Sequence, residues 1–182
     1  LGYFLLTHEL LDLLKSTATT HGDARVISVS AMAHHDVTMD WDDIQFEDWA
    51  RGNTQYAGWG VYSQRKLAYV LFAFALARRL EGTGVVSNAV HPGVVVTGFS
   101  QNNGWFYQMG AVFRKLFNRA TPLDGAMPSI YLASAPEAAT ITGTYYGPPH
   151  KQEPVNPEAS DSAAQDRLWT LSEEMTGVRQ PA

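Results

Sequence analysis

Tyr62 and Lys66 lie four residues apart in "YSQRK", at the start of an apolar run. On a helix this spacing puts both side chains on one face, about 6 Å apart along the axis. A tyrosine ordinarily has a pKa near 10, and lowering it to about 7 requires ~4 kcal/mol. A nearby lysine ammonium in a partly dry cleft favours the phenolate and can supply much of that shift. The pair therefore suits proton transfer to and from a carbonyl or alcohol oxygen.

The same spacing has an ordinary structural explanation. A Tyr-x-x-x-Lys match arises from composition alone in roughly one chain in five or six like this one. A tyrosine packed at a helix start, with a solvated lysine one turn later, would also produce it. The elements that surround the pair must therefore decide whether it does chemistry.

Helices and strands alternate along the chain. Hydrophobic patterning predicts helices over residues 1–16, 59–81, 123–134 and 163–177, and buried-type strands over residues 25–33, 85–90 and 139–147. A polar, tryptophan-dotted loop covers residues 34–59, and residues 99–118 are rich in aromatics. This alternation predicts one α/β domain, a Rossmann-like parallel sheet with helices on both faces, without internal repeats.

Parallel sheets of this kind bind ligands beyond the carboxyl ends of their strands. That rule brings together "VSAMAHH" after the first strand, "HPGVVVTGF" after the second, and the first turns of the helix that carries Tyr62. The pair is thus predicted to lie at the sheet edge where chemistry is expected.

The bulk composition narrows the classes of function. The chain has 182 residues, of which 45% are hydrophobic, and its net charge is −5 with scattered basic residues, so no nucleic-acid partner is expected. It contains no cysteine, which excludes disulfides, thiolate metal sites and cysteine nucleophiles. The oily run "LAYVLFAFALA" is shorter than the about 20 residues that span a bilayer. No secretory leader is recognisable, and a cytoplasmic location is expected.

Three stretches together resemble the short-chain dehydrogenase/reductase family, and most closely its branch of retinol-dehydrogenase-like and WW-domain-oxidoreductase-like proteins. They are "RVISVSAMAHH", "YSQRKLAYVLFAFALARRLEGTGVVSNAVHPGVV" and "IYLASAPEAATITGTYY", in the family's order and at suitable spacing over nearly all 182 residues. The resemblance implies the C-terminal two-thirds of a doubly wound Rossmann-like domain. It also implies NADP or NAD as cofactor, with NADP favoured, and an apolar alcohol or carbonyl as substrate.

The resemblance assigns roles to particular residues. Tyr62 is implied to donate or accept the substrate proton, and Lys66 to hold the nicotinamide ribose hydroxyls and lower the tyrosine pKa. The "PGxVxT" turn is implied to contact the nicotinamide carboxamide and the phosphates. Its residues in this chain are Pro92, Gly93, Val95 and Thr97.

The chain departs from the family pattern at the catalytic serine. That serine normally fills the second position of "SS" after the strand, which is Ala31 here, while Ser30 lies one place earlier. Neighbouring strand residues point to opposite faces, so Ser30 can replace the serine only if the backbone twists there. Losing a donor to the developing oxyanion costs about 10²–10³ in rate.

Two further family features are missing from the sequence. The asparagine of the family's proton relay would fall just before Leu1, and the glycine-rich phosphate loop is absent. We therefore expect the chain to be the later part of a longer protein, with roughly a hundred residues ahead of it, the alternative being an inactive fragment.

The other motifs have simpler explanations. His34 and His35 are adjacent and lack a third ligand at a metal spacing, so surface or loop histidines and no metal are expected. "GFSQN" does not match the serine-hydrolase elbow. "GWFYQMGAVFRKLF" is interpreted as a substrate lid over an apolar pocket, with plain core or a membrane-surface helix as alternatives.

The run from Leu67 to Ala77 is apolar on every side. A helix buried all round needs a cover beyond its own sheet, so this helix is predicted to pair with its counterpart and with residues 1–16 of a second subunit. Two functions remain open from the sequence. One is a nicotinamide-dependent dehydrogenase or reductase, and the other is a non-catalytic binding or dimerisation module descended from such an enzyme.

Overall fold

A computed structural model describes residues 1–47, 57–93, 95 and 120–178. The helices are α1 (Gly2–Glu9), α2 (Leu11–His21), α3 (Ala57–Arg79), α4 (Pro122–Ser134) and α5 (Ser162–Thr176). The strands are β1 (Ala24–Val29), β2 (Val85–Val90), β3 (Tyr145–Gly147) and β4 (Lys151–Gln152). Short 3₁₀ turns cover Met32–His34, Pro136–Thr140 and Pro157–Ser160.

Within the described residues, four strands form one sheet in the order β1-β2-β3-β4. β1 and β2 are parallel in the register Ala24 with Val85 to Val29 with Val90, and β2 and β3 are also parallel. The two residues of β4 pair antiparallel with β3, an addition that the sequence did not indicate. The α/β class with a mainly parallel sheet is therefore confirmed.

Helices cover both faces of this sheet. On one face, α3 lies close to β2, and the Ser87 hydroxyl donates to the Ala73 carbonyl at 2.9 Å. On the other face, the Arg25 guanidinium donates to the Leu132 and Ala135 carbonyls at the end of α4, at 2.9 and 2.8 Å. A cation at a helix C-terminus satisfies carbonyls that the helix itself leaves unpaired. This doubly covered arrangement explains why all six residues of β2 are buried.

The apolar helix α3 is covered by elements of its own chain. Along one side its residues pack with Tyr145 of β3 and Ala164 of α5. Along another side Phe72 and Leu76 pack with Phe4 of α1 and Trp169 of α5. A second subunit is therefore not needed to bury most of residues 67–77, and the predicted pairing of this helix with a second copy stays a prediction.

Several predicted elements are shorter or divided. The helix expected over residues 1–16 is two helices that meet at Leu10, and α2 continues to His21 before Gly22 ends it at φ 99°. The strand expected over residues 139–147 is reduced to Tyr145–Gly147, because its first residues belong to the 3₁₀ turn Pro136–Thr140 and the side chain of Asn88 bonds the backbone that follows. Asn88 accepts from the Thr144 backbone N–H at 3.0 Å and donates to the Ile141 carbonyl at 2.6 Å.

Candidate active site

Tyr62 and Lys66 lie on the same side of α3, as their spacing predicts. The Lys66 Nζ is 5.5 Å from the centroid of the Tyr62 ring and 5.1 Å from that of the Tyr69 ring. It also donates to the Val29 carbonyl at 3.3 Å, at the carboxyl end of β1. Lys66 therefore lies between Tyr62 and the edge of the sheet where the sequence predicted the site.

Burial shifts the pKa values of the two residues in opposite directions. It lowers the pKa of Lys66 and raises the pKa of Tyr62. The lowered tyrosine pKa implied by the family resemblance is thus not present in the described structure, because the apolar surroundings penalise the phenolate. The exposed Trp59 ring contributes to these surroundings by stacking on Tyr62 at 5.5 Å between centroids. Tyr62 is therefore a protonated phenol at neutral pH, which suits it to donate a proton.

The residues after β1 do not bring a serine into the predicted position. β1 ends at Val29 rather than continuing to residue 33, and Ala31 is extended at φ −155° and ψ 159° before the 3₁₀ turn. Ser30 is buried, and its hydroxyl donates to the Lys66 carbonyl of α3 at 2.7 Å. Because that bond uses the hydroxyl hydrogen, Ser30 helps to fix α3 and offers no hydrogen to a substrate in this arrangement.

The "HPG" turn follows β2 at the same edge. Gly93 has a φ of 70°, a left-handed conformation that favours glycine. The helix α4 approaches the turn through Gly125, where a Cβ would lie 3.1 Å from the Pro92 carbonyl oxygen and would collide with the Val95 side chain. Thr97, "GFSQN" and the segment 99–118 lie outside the described residues.

The residues at this edge fit the nicotinamide end of a dinucleotide. Among the described residues, Lys66 uses its three N–H donors on only one acceptor, the Val29 carbonyl, which leaves donors for ribose hydroxyls. The buried hydroxyls of Ser63 and Tyr145 have no hydrogen-bond partner among the described residues. A Cβ at Gly93 would lie 3.0 Å from the Pro148 ring, so a glycine lets the turn pack against that proline.

Tyr145 and its histidine neighbours were not identified from the sequence. The Tyr145 ring is 5.4 Å from the His91 ring and 4.6 Å from the His34 ring. Burial first, and then Glu153 and Tyr62, raise the pKa of Tyr145 far above its ordinary range. The only signal in the sequence was the position of these residues at the ends of predicted strands.

His34 is fully buried, so it is not a surface histidine. Its Nδ1 donates to the Ala31 carbonyl at 2.8 Å, and its Nε2 accepts from the Asn156 backbone N–H at 3.4 Å. This pairing requires a neutral ring, and burial lowers the pKa of His34 to about 4. Within the described ranges, no three histidine or acidic side chains come together as a metal site, and no helix has the length and apolarity needed to cross a membrane.

Comparison with known proteins identifies relatives of the chain. Human retinol dehydrogenase 14 is 40% identical over 184 residues, which cover 98% of this chain and 50% of that protein. Human retinol dehydrogenase 13 is 38% identical over 188 residues, which cover 100% of this chain and 53% of that protein. The chain belongs to the short-chain dehydrogenase/reductase family. The resemblance to its retinol dehydrogenases, seen first in the motifs, is thereby confirmed.

The similarity extends to further members of the family. Human polyprenol dehydrogenase is 36% identical over 180 residues, 98% of this chain and 52% of that protein. The chain spans about half the length of the curated relatives it matches. No family model matches the chain.

Solved structures share the fold of this family member. An uncharacterized protein from Mycobacterium paratuberculosis superimposes with a TM-score of 0.66 and 30% identity, covering 100% of this chain and 57% of that one. The 3-ketoacyl-(acyl-carrier-protein) reductase from Brucella melitensis, complexed with NADH, has a TM-score of 0.54 at 19% identity. It covers 80% of this chain and 51% of that one, and at this identity it supports the Rossmann-like fold alone.

Proposed function

We propose that the intact protein is an NAD(P)-dependent oxidoreductase that interconverts an apolar alcohol and its carbonyl compound. The observation that carries the proposal is the position of the Lys66 ammonium, which reaches the carboxyl end of β1 and lies 5.5 Å from the Tyr62 ring. Family membership supports it, because the relatives at 36–40% identity are dehydrogenases by name.

In the reductive direction Tyr62 donates its phenolic proton to the substrate carbonyl oxygen. A reduced nicotinamide bound at this edge would supply a hydride to the carbonyl carbon, and that hydride with the Tyr62 proton would convert C=O to CH–OH. Lys66 holds the ribose hydroxyls and stabilises the phenolate that Tyr62 becomes. In the oxidative direction Tyr62 must first be a phenolate, and its raised pKa makes that form scarce at neutral pH.

An apolar alcohol is the substrate class that the relatives favour. Retinol and polyprenol, the alcohols in the names of those proteins, are both long hydrocarbons that end in one hydroxyl group. We propose that this protein acts on an alcohol or aldehyde of that class. NADP is the cofactor that the resemblance favours over NAD, and Pro92, Gly93, Val95 and Thr97 are proposed to contact its nicotinamide end.

The test is Tyr62→Phe in the intact protein. NADPH oxidation by retinal, followed by absorbance, should fall about 10²–10⁴-fold, because the substitution removes the proton donor. Tyr69→Phe is the matched control, since Tyr69 also contacts the Lys66 ammonium through its ring and should keep most of the activity. Full activity in Tyr62→Phe would refute the proposal.

A second candidate function is a non-catalytic module that retains the dinucleotide site. Ala31, with a methyl group where the family has its catalytic serine, favours this candidate. Wild-type protein that binds NADPH but turns over neither retinoid nor polyprenol substrates would support it.

A further inference from the structure

We propose that His91, oriented by Glu153, is a positioning residue that holds the Pro92–Gly93 turn in the shape that accepts the dinucleotide. The inference rests on the proposed function, because the turn that His91 holds is part of the proposed dinucleotide site. His91 follows β2 directly and is only 3% exposed.

The hydrogen bonds of His91 require one tautomer. The Gly93 backbone N–H donates to His91 Nδ1 at 3.0 Å, so Nδ1 carries no proton. The ring proton is therefore on Nε2, which lies 2.9 Å from a carboxylate oxygen of Glu153. A carboxylate that accepts from one ring nitrogen makes the other nitrogen the acceptor. Glu153 thereby leaves Nδ1 of His91 unprotonated, so that Nδ1 can accept the hydrogen bond from the Gly93 N–H.

The surroundings leave the His91 ring little freedom. The ring stacks on Tyr145, with an interplanar angle of 20°. On β3, a Cβ at Gly147 would collide with both His91 Nε2 and a carboxylate oxygen of Glu153, so the histidine–carboxylate pair occupies the space that this glycine leaves open.

Glu153 is held by the sheet itself. Its backbone N–H donates to the Tyr145 carbonyl at 2.9 Å, directly after the two-residue strand β4. The short antiparallel strand β4 therefore brings the carboxylate of Glu153 into contact with His91, which lies 62 residues earlier in the sequence.

The turn depends on this support because glycine has no conformational preference of its own to hold φ at 70°. With the Nδ1 acceptor in place, the Gly93 N–H points inward and the turn keeps one shape. Without it, a partly buried N–H loses its partner, and the turn exchanges between shapes before any ligand can bind.

Two substitutions of similar size separate the two hydrogen bonds. In His91→Asn the side-chain oxygen can replace Nδ1 and accept from Gly93, whereas in His91→Gln the amide group reaches the position of Nε2 and contacts Glu153 only. In the intact protein, the NADPH dissociation constant, measured by fluorescence, should stay within about threefold of wild type in His91→Asn and rise about tenfold in His91→Gln. Equal affinity of the two variants would overturn the proposal.

Nuclear magnetic resonance of the ligand-free protein tests the positioning without any cofactor. Wild-type His91 should show its proton on Nε2, and the Gly93 amide should exchange slowly in wild type and His91→Asn but faster in His91→Gln. A proton on Nδ1 in wild type, or unchanged Gly93 exchange in His91→Gln, would refute the positioning role. Absence of NADPH binding by wild type would refute the proposed function instead, and the exchange measurement would still decide the role of His91.

If both His91 variants fail to fold, Glu153 provides the same test. Glu153→Gln keeps an acceptor for the His91 Nε2–H and should preserve the slow exchange of the Gly93 amide. Glu153→Leu removes that acceptor, so His91 is no longer held in one tautomer and the Gly93 amide should exchange faster. Equal exchange in these two variants would overturn the inference.

Discussion

At the scale of single residues, the departure from the family pattern with the clearest chemical consequence is Ala31, which stands where the family has its catalytic serine. The Ala31 methyl group cannot donate to a developing oxyanion, and the hydroxyl hydrogen of the adjacent Ser30 is already bonded to the Lys66 carbonyl. The phenol of Tyr62 is then the proton donor that the proposed reaction uses.

Restoring the serine should therefore not harm turnover. We expect Ala31→Ser to leave kcat for carbonyl reduction unchanged or to raise it, up to the about 10²–10³-fold that such a donor is worth. The control is Ser30→Ala, which should lower the free energy of unfolding by about 1 kcal/mol through loss of the bond to α3, with little effect on kcat. Loss of turnover in Ser30→Ala together with no gain in Ala31→Ser would show that Ser30 is the donor after all.

The sequence predicted the site residues that belong to local motifs. Tyr62 and Lys66 share one helix face, and Pro92 and Gly93 follow a buried strand, so spacing and strand ends predicted where these residues lie. Their roles come from the family resemblance and stay predictions. Glu153 could not be found in this way, because its contact with His91 arises only when β3 and β4 pair. Likewise, the raised pKa of Tyr62 depends on packing that no spacing encodes.

At the scale of elements, the 3₁₀ turn Met32–His34 is tied to a distant segment through Asn156. The Asn156 side-chain amide donates to the carbonyls of His34 and Val37, at 2.8 and 2.7 Å. Its side-chain oxygen accepts from the Glu158 backbone N–H and caps the turn Pro157–Ser160. The start of the loop that looked irregular in sequence is thus held by a buried amide from a distant segment, a contact that hydrophobic patterning does not predict.

The same junction should make the fold sensitive to acid. His34 has a pKa of about 4 in the fold and about 6.5 when unfolded, so between these values the unfolded chain binds more protons. The contribution of neutral His34 is therefore complete above pH 6.5 and is lost as the pH falls toward 4, to a total of about 3 kcal/mol. Urea unfolding at several pH values should show this decline.

A comparison of two histidine variants isolates the effect. His34→Gln should flatten the decline between pH 7 and pH 4, although it lowers the stability at pH 7. The exposed His21, substituted by glutamine, should leave the decline as in wild type. An identical pH dependence in His34→Gln and wild type would show that His34 is not the group that titrates.

At the scale of the whole molecule, the exposed leucines concentrate on α1 and α2, whereas the leucines of α3 are buried. The helix α3 is covered by the sheet, α1 and α5, so its all-round apolar sequence marks a central helix of this chain. The sequence could not show whether α3 is covered by elements of its own chain or by a second subunit, because either would bury the same residues. What stays exposed is a row of leucines on the opposite side from Phe4 and Leu11. It consists of Leu6, Leu10 and Leu13, which are 62%, 41% and 63% exposed.

A self-associating protein would use this leucine row. We expect the intact protein to be a dimer in solution at micromolar concentration, with the row packed against a second copy, because burying one leucine side chain is worth about 1.5–3 kcal/mol. Leu13→Glu would place a charge within that contact and should shift the mass measured by light scattering from dimer to monomer. Leu123→Glu is the matched control, since Leu123 on α4 is 64% exposed and outside the row, and it should leave the mass unchanged. A wild-type monomer, or equal dissociation by both variants, would contradict the prediction, and the row would then have to be covered by something other than a second copy.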